Sequence, residues 1–224
     1  MRDLCGGTAG RSGENPQGSG TVHVLITAGP THEYLDDVRY LSNLSSGKMG
    51  FECAKAAARA GHRVTLVTGP VALPDPRGVR TLRVTSALEM LRVASRAWRS
   101  CDALIATAAV SDHRPKKRFT GKVKKGGIAT LELVENPDIL KSLAAKKGRR
   151  RVVGFALEVQ NARENALKKY QRKNLDYIVL NGPSSFGADR MNAMIYGGGG
   201  KIREFRHAAK SRVATGLIGL LSAE

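Results

Sequence analysis

The sequence predicts an α/β fold built on a doubly wound, mostly parallel sheet. Short apolar runs rich in β-branched residues alternate along the chain with segments that carry helix-capping signals. One run, 103–110, is apolar except for Thr107, which is typical of a strand covered by helices on both faces. The chain has 224 residues, of which 42% are hydrophobic, so it can bury such a sheet without disulfides or metal ions.

The first half of the chain predicts strand–helix–strand twice. A helix is expected from Gly47 to Ala60, with Gly61 as its C-terminal stop. A second helix begins at Ser86, where Glu89 three residues later completes a capping box. The predicted strands are Val22–Thr27, Arg63–Thr68, Arg80–Val84 and Ala103–Val110.

The second half continues the alternation and ends in a hairpin and a helix. Asn136 is the expected N-cap of a helix, with Pro137 at its first position and Asp138 in its first turn. Further helices are predicted at 161–173 and 208–221. The predicted strands are 128–134, 152–156, 177–180, 193–196 and 201–205, the last two joined by the glycines at 197–200.

Residues 1–20 differ in composition from the rest. They are rich in Gly and Ser and carry almost no bulky apolar side chains, so they are expected to form a disordered tail or linker. Residues 21–224 then make up one domain. No apolar stretch approaches the roughly 20 residues of a membrane span, and no signal peptide is visible.

The charge of the chain points to an anionic partner. Lys and Arg number 37 against 19 Asp and Glu, a net charge of +18. Three short segments, 114–125, 141–151 and 168–173, hold 17 of these cations, which favours a local anion over general solubilisation. A solvated basic surface is the alternative. Nucleic acid is disfavoured as the partner, since aromatic residues make up only 5% and no nucleic-acid motif is present.

The three cysteines form no Cys-x-x-Cys motif, and the five histidines form no pair at helical spacing. A zinc site or a redox dithiol is therefore not expected. Reduced thiols and the lack of a targeting segment predict a cytoplasmic protein.

The long loop after the first strand carries the most informative chemistry. It lacks the Gly-x-Gly-x-x-Gly of dinucleotide sites, and Gly47-Lys48 is followed by Met rather than by the Ser or Thr of a Walker loop. The loop delivers Ser45, Ser46 and Gly47 to a helix N-terminus, where free N–H groups and the helix dipole favour an anion. These residues could also be simple caps. Arg39 and Asn43 add a cation and an amide donor beside that helix end.

From Val22 to Leu221 the sequence resembles the phosphopantothenoylcysteine synthetase family, which is often fused to a flavin-dependent decarboxylase. No decarboxylase half precedes the motifs, so the chain is expected to be a stand-alone synthetase or one domain of such a fusion. The motifs that carry the resemblance are Thr27–Thr31, Val38–Asn43, Ser45–Gly50, Ala108–Asp112, Asn136–Ile139, Val153–Ala156, Arg172–Asp176, and Phe186–Asp189 with Asn192.

The resemblance implies a Rossmann-like sheet with a dimerisation arm and lid near Lys122–Val134, and a homodimer. It also implies a CTP-dependent ligase of coenzyme A biosynthesis. The carboxylate of 4′-phosphopantothenate attacks the α-phosphate of CTP, releasing pyrophosphate and giving an acyl-cytidylate, and the amine of L-cysteine then displaces CMP. Mg²⁺ is expected to be held by phosphates and water, so no metal-ligating residue is named.

Three residues are implied to act directly on the reactants. Asn43 matches an asparagine that binds the acyl group, where a neutral amide donor can stabilise an oxyanion. Arg39 matches a substrate-contacting arginine, and Lys122 a lid lysine that neutralises phosphate charge. The alternatives are a loop-capping role for Asn43, a surface salt bridge for Arg39, and Lys124 or Lys125 in place of Lys122.

The remaining site residues are implied to bind the nucleotide. Lys169 and Lys173 lie four apart on one helix face, where a triphosphate between them would remove their repulsion. The alternatives are ordinary caps, core residues and a solvated lysine-rich face. The set comprises Ser46, Gly47, Ala108, Ala109, Asp112, Asn136, Pro137, Asp138, Ile139, Phe155, Lys169 and Lys173.

Two other functions fit the same fold class. An NAD(P)-dependent reductase is disfavoured by the missing glycine motif and by the lack of an acidic residue after the strand at 63–68. A non-catalytic regulatory subunit is disfavoured because both Asn43 and Lys122 are present.

Overall fold

A computed structural model describes residues 20–128, 130–185, 187–198 and 200–222. The predicted tail lies outside the described residues except for Gly20. The helices are α1 (Lys48–Arg59), α2 (Ala87–Trp98), α3 (Ile139–Ala144), α4 (Ala162–Arg172) and α5 (Lys210–Ser222), with a 3₁₀ turn at Pro183–Ser185.

The described residues contain twelve strands. Four of them are only two or three residues long and lie outside the main sheet. The strands are β1 (His23–Ala28), β2 (Glu33–Tyr34), β3 (Tyr40–Leu41), β4 (Arg63–Thr68), β5 (Arg80–Arg83), β6 (Ala103–Ala106), β7 (His113–Pro115), β8 (Leu133–Glu135), β9 (Arg151–Leu157), β10 (Tyr177–Asn181), β11 (Arg190–Gly197) and β12 (Gly200–Ala209).

The central sheet has eight strands in the order β12-β11-β10-β9-β6-β1-β4-β5. Along this order, every neighbouring pair between β10 and β5 is parallel. β11 pairs antiparallel with β10 and forms the predicted antiparallel hairpin with β12 at one edge. The α/β class and the mostly parallel sheet are therefore confirmed.

Helices cover both faces of this sheet, and β1 shows why. Its six residues are all buried. Val24 and Ile26 point to the face packed by α1 and α5, while Leu25 points to the face packed by α2 and α3. Because successive side chains of β1 point to opposite faces and both faces are covered, apolar residues follow one another directly at Val24, Leu25 and Ile26. Gly50 lets α1 approach β1 closely, because a Cβ there would lie 2.5 Å from the Cβ of Ala28.

The predicted strand at 103–110 is too long. β6 ends at Ala106, and residues 107–110 are only half-buried. Their backbone still follows β1, since the N–H of Thr107 donates to Thr27 and that of Ala109 donates to Gly29, both at 2.9 Å. The apolar run continues because these residues form a cavity wall.

The prediction for 128–134 is also wrong over most of its length. β8 begins only at Leu133 and pairs antiparallel with β7. Before it, the chain turns at Gly121 and Gly126, both at positive φ, and residues 130–132 adopt no regular structure, so the polar–apolar alternation ahead of Leu133 does not belong to a strand. Ala129 lies outside the described residues.

The helix predicted to begin at Asn136 begins later. Asp138 is the N-cap of α3, and its carboxylate accepts the N–H of Lys141 at 2.9 Å. Pro137 therefore precedes the cap, and the Asn136 side chain is free for a contact outside the helix. By contrast, Ser86 is the predicted N-cap of α2 and accepts the N–H of Glu89. The Glu89 carboxylate reaches back as predicted, but it accepts the N–H of Thr85, one residue before the cap.

The four short strands belong to a small lobe beside the main sheet. β2 pairs with β3, β7 pairs with β8, and β2 packs against β7. We call residues 32–41 and 113–135 together the small lobe. It contains the predicted arm, and its strand pairs were not predicted.

Candidate active site

The candidate site lies at the carboxyl ends of the parallel strands, where open α/β sheets bind ligands. A cleft of about 690 Å³ opens between the N-terminal end of α1, the segment after β6, and the ends of β9 and β10. A narrower slot of about 200 Å³ continues from it beneath the Asn136–Ile139 segment. The cleft and the slot share the lining residues Ala108, Val110, Asp112, Phe155 and Lys169.

The slot is formed by a hydrogen-bonded clamp around Asn136. The side-chain amide of Asn136 donates to the Ser111 carbonyl at 2.9 Å, and its backbone N–H donates to the Asp112 carbonyl at 2.7 Å. Arg114 donates to its side-chain oxygen at 3.1 Å. Because Asn136 is not the helix cap, its side chain can fix the 111–112 segment as the slot wall. Ala108 leaves room beside it.

Lys169 and Lys173 approach the slot from α4, as predicted. Lys169 donates to the Phe155 carbonyl at 2.6 Å, and burial, with the nearby charge of Lys173, lowers the pKa of Lys169. Lys173 lies 2.7 Å from the carboxylate of Asp138, and its side chain is only 11% exposed. The repulsion between the two lysines is thus offset by a carboxylate of the protein itself.

The carboxylate of Asp138 has two functions at once. It caps α3 and pairs with Lys173. Burial alone would raise its pKa, but the hydrogen bonds from Lys173 and from the Lys141 N–H prevail and leave that pKa below its usual value. Asp138 is therefore held ionised beside the slot.

Asn43 lies on the cleft side of the shared wall. Its amide donates to the Ala109 carbonyl at 3.1 Å, which connects the loop before α1 to the segment after β6. Ser46 and Gly47 follow at the start of α1, and Gly47 adopts a positive φ of 74°. A Cβ at Gly47 would lie 2.9 Å from Val71, so a larger residue would displace this helix end from the cleft.

Arg39 and Lys122 are the two predicted residues that line neither the cleft nor the slot. Arg39 forms an ion pair with Asp36 at 2.6 Å and donates to the Val123 carbonyl at 3.1 Å. Lys122 is exposed on the adjoining part of the small lobe. All the other predicted site residues line one or both of these spaces.

Sequence reasoning missed the basic end of the cleft, whose residues do not line the slot. Lys210 is 6% exposed and donates to the Ser185 carbonyl at 2.9 Å. Lys48 donates to the Gly187 carbonyl and pairs with Asp189 at 2.7 Å. Gly187 and Asp189 belong to a motif noted in the sequence, whereas Lys210 carried no local signal. Phe186 of that motif lies outside the described residues.

The described part of the chain holds no cluster of three or more His, Cys, Asp or Glu suited to a metal ion. Over the same part, no helix combines the length and the apolar character needed to cross a membrane.

Residues 20–223 match the family described as the DNA/pantothenate metabolism flavoprotein C-terminal domain. The chain belongs to this family. Membership in the flavoprotein C-terminal domain family confirms the resemblance seen in the motifs, and the family's fold accounts for the sheet and its edge hairpin.

The curated relatives are longer proteins, and this chain matches one part of each. The coenzyme A biosynthesis bifunctional protein CoaBC of Vibrio cholerae is 51% identical over 168 residues, which are 73% of this chain and 42% of the relative. The protein of the same name from Bacillus subtilis is 42% identical over 208 residues, 90% of this chain and 51% of the relative. The chain spans about half the length of the curated relatives it matches.

One solved structure gives the same assignment, and a second has the same fold. The crystal structure of the C-terminal domain of CoaBC superimposes with a TM-score of 0.78 at 36% identity, covering 90% of this chain and 94% of that one. A Cab2 mutant in complex with phosphopantothenate-cysteine superimposes with a TM-score of 0.72 at 17% identity, covering 89% and 85%. At that identity the second likeness shows the fold alone.

Proposed function

We propose that the chain is a CTP-dependent phosphopantothenate–cysteine ligase. Its substrates would be 4′-phosphopantothenate, L-cysteine and CTP, and its products 4′-phosphopantothenoylcysteine, CMP and pyrophosphate. The observation that carries the proposal is the continuity of the slot and the cleft, with Lys169 where they meet and Asn43 on the cleft side. Such an arrangement suits a nucleotide held in one space and its acyl partner in the other.

The slot suits a nucleobase and the lysines suit its phosphates. A space of about 200 Å³ bounded by Ala108, Val110 and Phe155 takes a flat ring, and the backbone groups of its wall can select its edge. The phosphates would lie toward Lys169 and Lys173. Attack of a carboxylate on the α-phosphate moves negative charge onto the leaving pyrophosphate, so ammonium groups there stabilise the transition state.

The residues beside the slot fit a Mg²⁺ held mainly by the nucleotide. Asp138 forms an ion pair with Lys173. Among the described residues that line the slot and the cleft, this leaves Asp112 as the carboxylate that could bind the ion. One carboxylate is too few for an all-protein Mg²⁺ cage, so phosphates and water would supply most ligands. When bound, the ion neutralises phosphate charge.

Asn43 would act in the second half-reaction. Attack of the cysteine amine on the acyl carbon builds negative charge on the acyl oxygen, and a neutral amide can donate a hydrogen bond to it. The bond to Ala109 uses only one of the two N–H groups of Asn43 and fixes the orientation of the amide.

Arg39 and Lys122 belong to the same proposal as residues of a lid. Their position on the small lobe, outside the cleft, means that the lobe must move or that a second copy must contribute them. We therefore include a homodimer in the proposal, supported by the exposed apolar side chains of the lobe. A cytoplasmic location is also included, supported by the free, buried thiols of Cys53 and Cys101.

The decisive assay is pyrophosphate release with 4′-phosphopantothenate and Mg²⁺, comparing CTP with ATP, with and without cysteine. We expect release that requires phosphopantothenate, prefers CTP, and turns over repeatedly only with cysteine. A folded sample that binds a nucleotide but releases no pyrophosphate would contradict the ligase.

The variant Asn43→Ala tests the role of the amide. We expect a single round of pyrophosphate release to remain, and steady-state turnover to fall by about 100-fold or more, as for loss of one oxyanion donor. Asn192→Ala on β11 is the matched control, because it removes an asparagine that lines neither the cleft nor the slot. Unchanged turnover in Asn43→Ala would show that the role of Asn43 is misassigned.

A further inference from the structure

The basic end of the cleft contains a buried ammonium group with few partners. Lys210 is 6% exposed, and its Nζ has the Ser185 carbonyl as its hydrogen-bond acceptor among the described residues. An ammonium has three N–H donors, and a buried charge is costly unless it is paired. Lys210 lines the cleft but not the slot. Its charge is therefore available to a ligand in the cleft.

The neighbouring charges leave this end of the cleft positive. Lys48 lies 2.7 Å from Asp189, so two ammonium groups share one carboxylate. Burial and the charge of Lys48 both lower the pKa of Lys210, whereas Asp189 raises it. The negative charge of an incoming anion would offset the repulsion between the two ammonium groups, and the side chain of Asp189, 85% exposed, can move away from Lys48.

We propose that Lys210 and Lys48 form an oxyanion subsite that binds the α-carboxylate of the amino substrate. This inference rests on the proposed ligase. The nucleotide is assigned to the slot, and Asn43 lines the cleft together with Lys210, so an amino acid anchored at Lys210 would occupy the same space as the acyl group. The terminal phosphates of the nucleotide and the 4′-phosphate of the acyl substrate are the other sources of an oxyanion. Both take part in the first half-reaction, which needs no cysteine, so the two half-reactions separate them from the carboxylate.

The test removes each charge in turn. Lys210→Met and Lys48→Met are compared with Lys55→Met, a lysine on α1 that pairs with Glu52 and lies outside the cleft. We expect both cleft variants to raise the KM for cysteine by about tenfold or more, the size of one lost charged hydrogen bond. The rate with cysteamine, which lacks the carboxylate, should match that of the wild type, and so should pyrophosphate release without cysteine.

Asp189→Asn supplies a change in the opposite direction. It removes the carboxylate that competes for Lys48, so the KM for cysteine should fall. A merely structural role of the cluster would not give opposite effects for lysine and aspartate variants. Because Asp189 and Lys48 are both accessible to solvent, these two variants remain informative if Lys210→Met fails to fold.

The outcomes separate the subsite from the ligase. If the wild type releases no pyrophosphate, the proposed function fails. If the wild type is active and the cleft variants slow pyrophosphate release without cysteine, the subsite binds a phosphate of the nucleotide or of phosphopantothenate, and the carboxylate assignment is overturned. It is overturned equally if the variants of Lys210 and Lys48 keep the wild-type KM for cysteine, or if cysteamine is affected as much as cysteine.

Discussion

The side chain of Lys173 can be nearly buried because the carboxylate of Asp138 lies 2.7 Å from its ammonium group and neutralises its charge. The sequence placed Lys169 and Lys173 on one helix face correctly, since their spacing is local. It also selected Asp138, as a nucleotide contact. The ion pair between Asp138 and Lys173 was not predicted, because the approach of α3 to α4 cannot be read from either segment. The same holds for Arg39: its ion pair with Asp36 is three residues away, whereas its bond to Val123 spans 84 positions.

Replacing Lys173 should weaken nucleotide binding more than loss of one phosphate contact would. In Lys173→Met the Asp138 carboxylate stays beside the slot without its partner and repels phosphates. We expect the KM for CTP to rise by about tenfold or more, with a smaller change in the KM for cysteine. Pyrophosphate release at varied CTP measures it, and Lys201→Met, which removes an exposed lysine paired with Glu204 on β12, is the control. An equal KM for CTP in both variants would contradict the assignment.

At the scale of elements, the sequence predicted what depends on neighbours along the chain. The strand at 63–68 and the capped start of α2 came out as predicted, because apolar alternation and capping hydrogen bonds are local. The small lobe did not. Its strands are two or three residues long, and they are held by contacts between 32–41 and 113–135 that no local pattern encodes.

Asp36 is the residue that connects these two parts of the small lobe. Its carboxylate is inaccessible to solvent and accepts the N–H groups of Val38, Arg39 and Val123 as well as the Arg39 guanidinium. The Arg39 guanidinium, followed by these backbone donors, holds the pKa of Asp36 well below its usual range. The sequence contained no sign of this anchor beyond the ion-pair alternative for Arg39.

Asp36→Asn should therefore lower the urea midpoint of unfolding at pH 7. A depressed folded pKa stabilises the protein above the unfolded pKa of about 4, and that stability is lost as the pH falls toward the folded value. The difference from the wild type should consequently shrink below about pH 4. Urea titrations at several pH values measure it. Asp75→Asn, which removes an exposed partner of Arg83, should leave the midpoint nearly unchanged at every pH. A pH-independent difference for Asp36→Asn would refute the charge argument.

For the whole molecule, the order of strands and helices determined the architecture, since alternation of short strands and helices favours a parallel sheet with its site at the carboxyl ends. The clustering of Lys and Arg residues predicted the site only in part. Two lysines of the segment 168–173 line the slot, but the segment 114–125 lies on the small lobe. Whether the lobe takes part in self-association depends on which of its side chains are exposed together, and sequence patterns describe that poorly.

The exposed surface of the small lobe predicts self-association. Val38 is 57% exposed, Tyr40 46% and Leu133 46%, and large apolar side chains gathered on one lobe are typical of an interface. We expect the protein to sediment at twice its chain mass of 24.0 kDa, and Val38→Glu to shift it toward the monomer, because a buried, unpaired charge opposes docking. Val159→Glu, at a valine that is 74% exposed away from the lobe, should leave the dimer intact. If the wild type is monomeric at high concentration, Lys122 must reach the cleft of its own chain, and the lobe must then move to close the site.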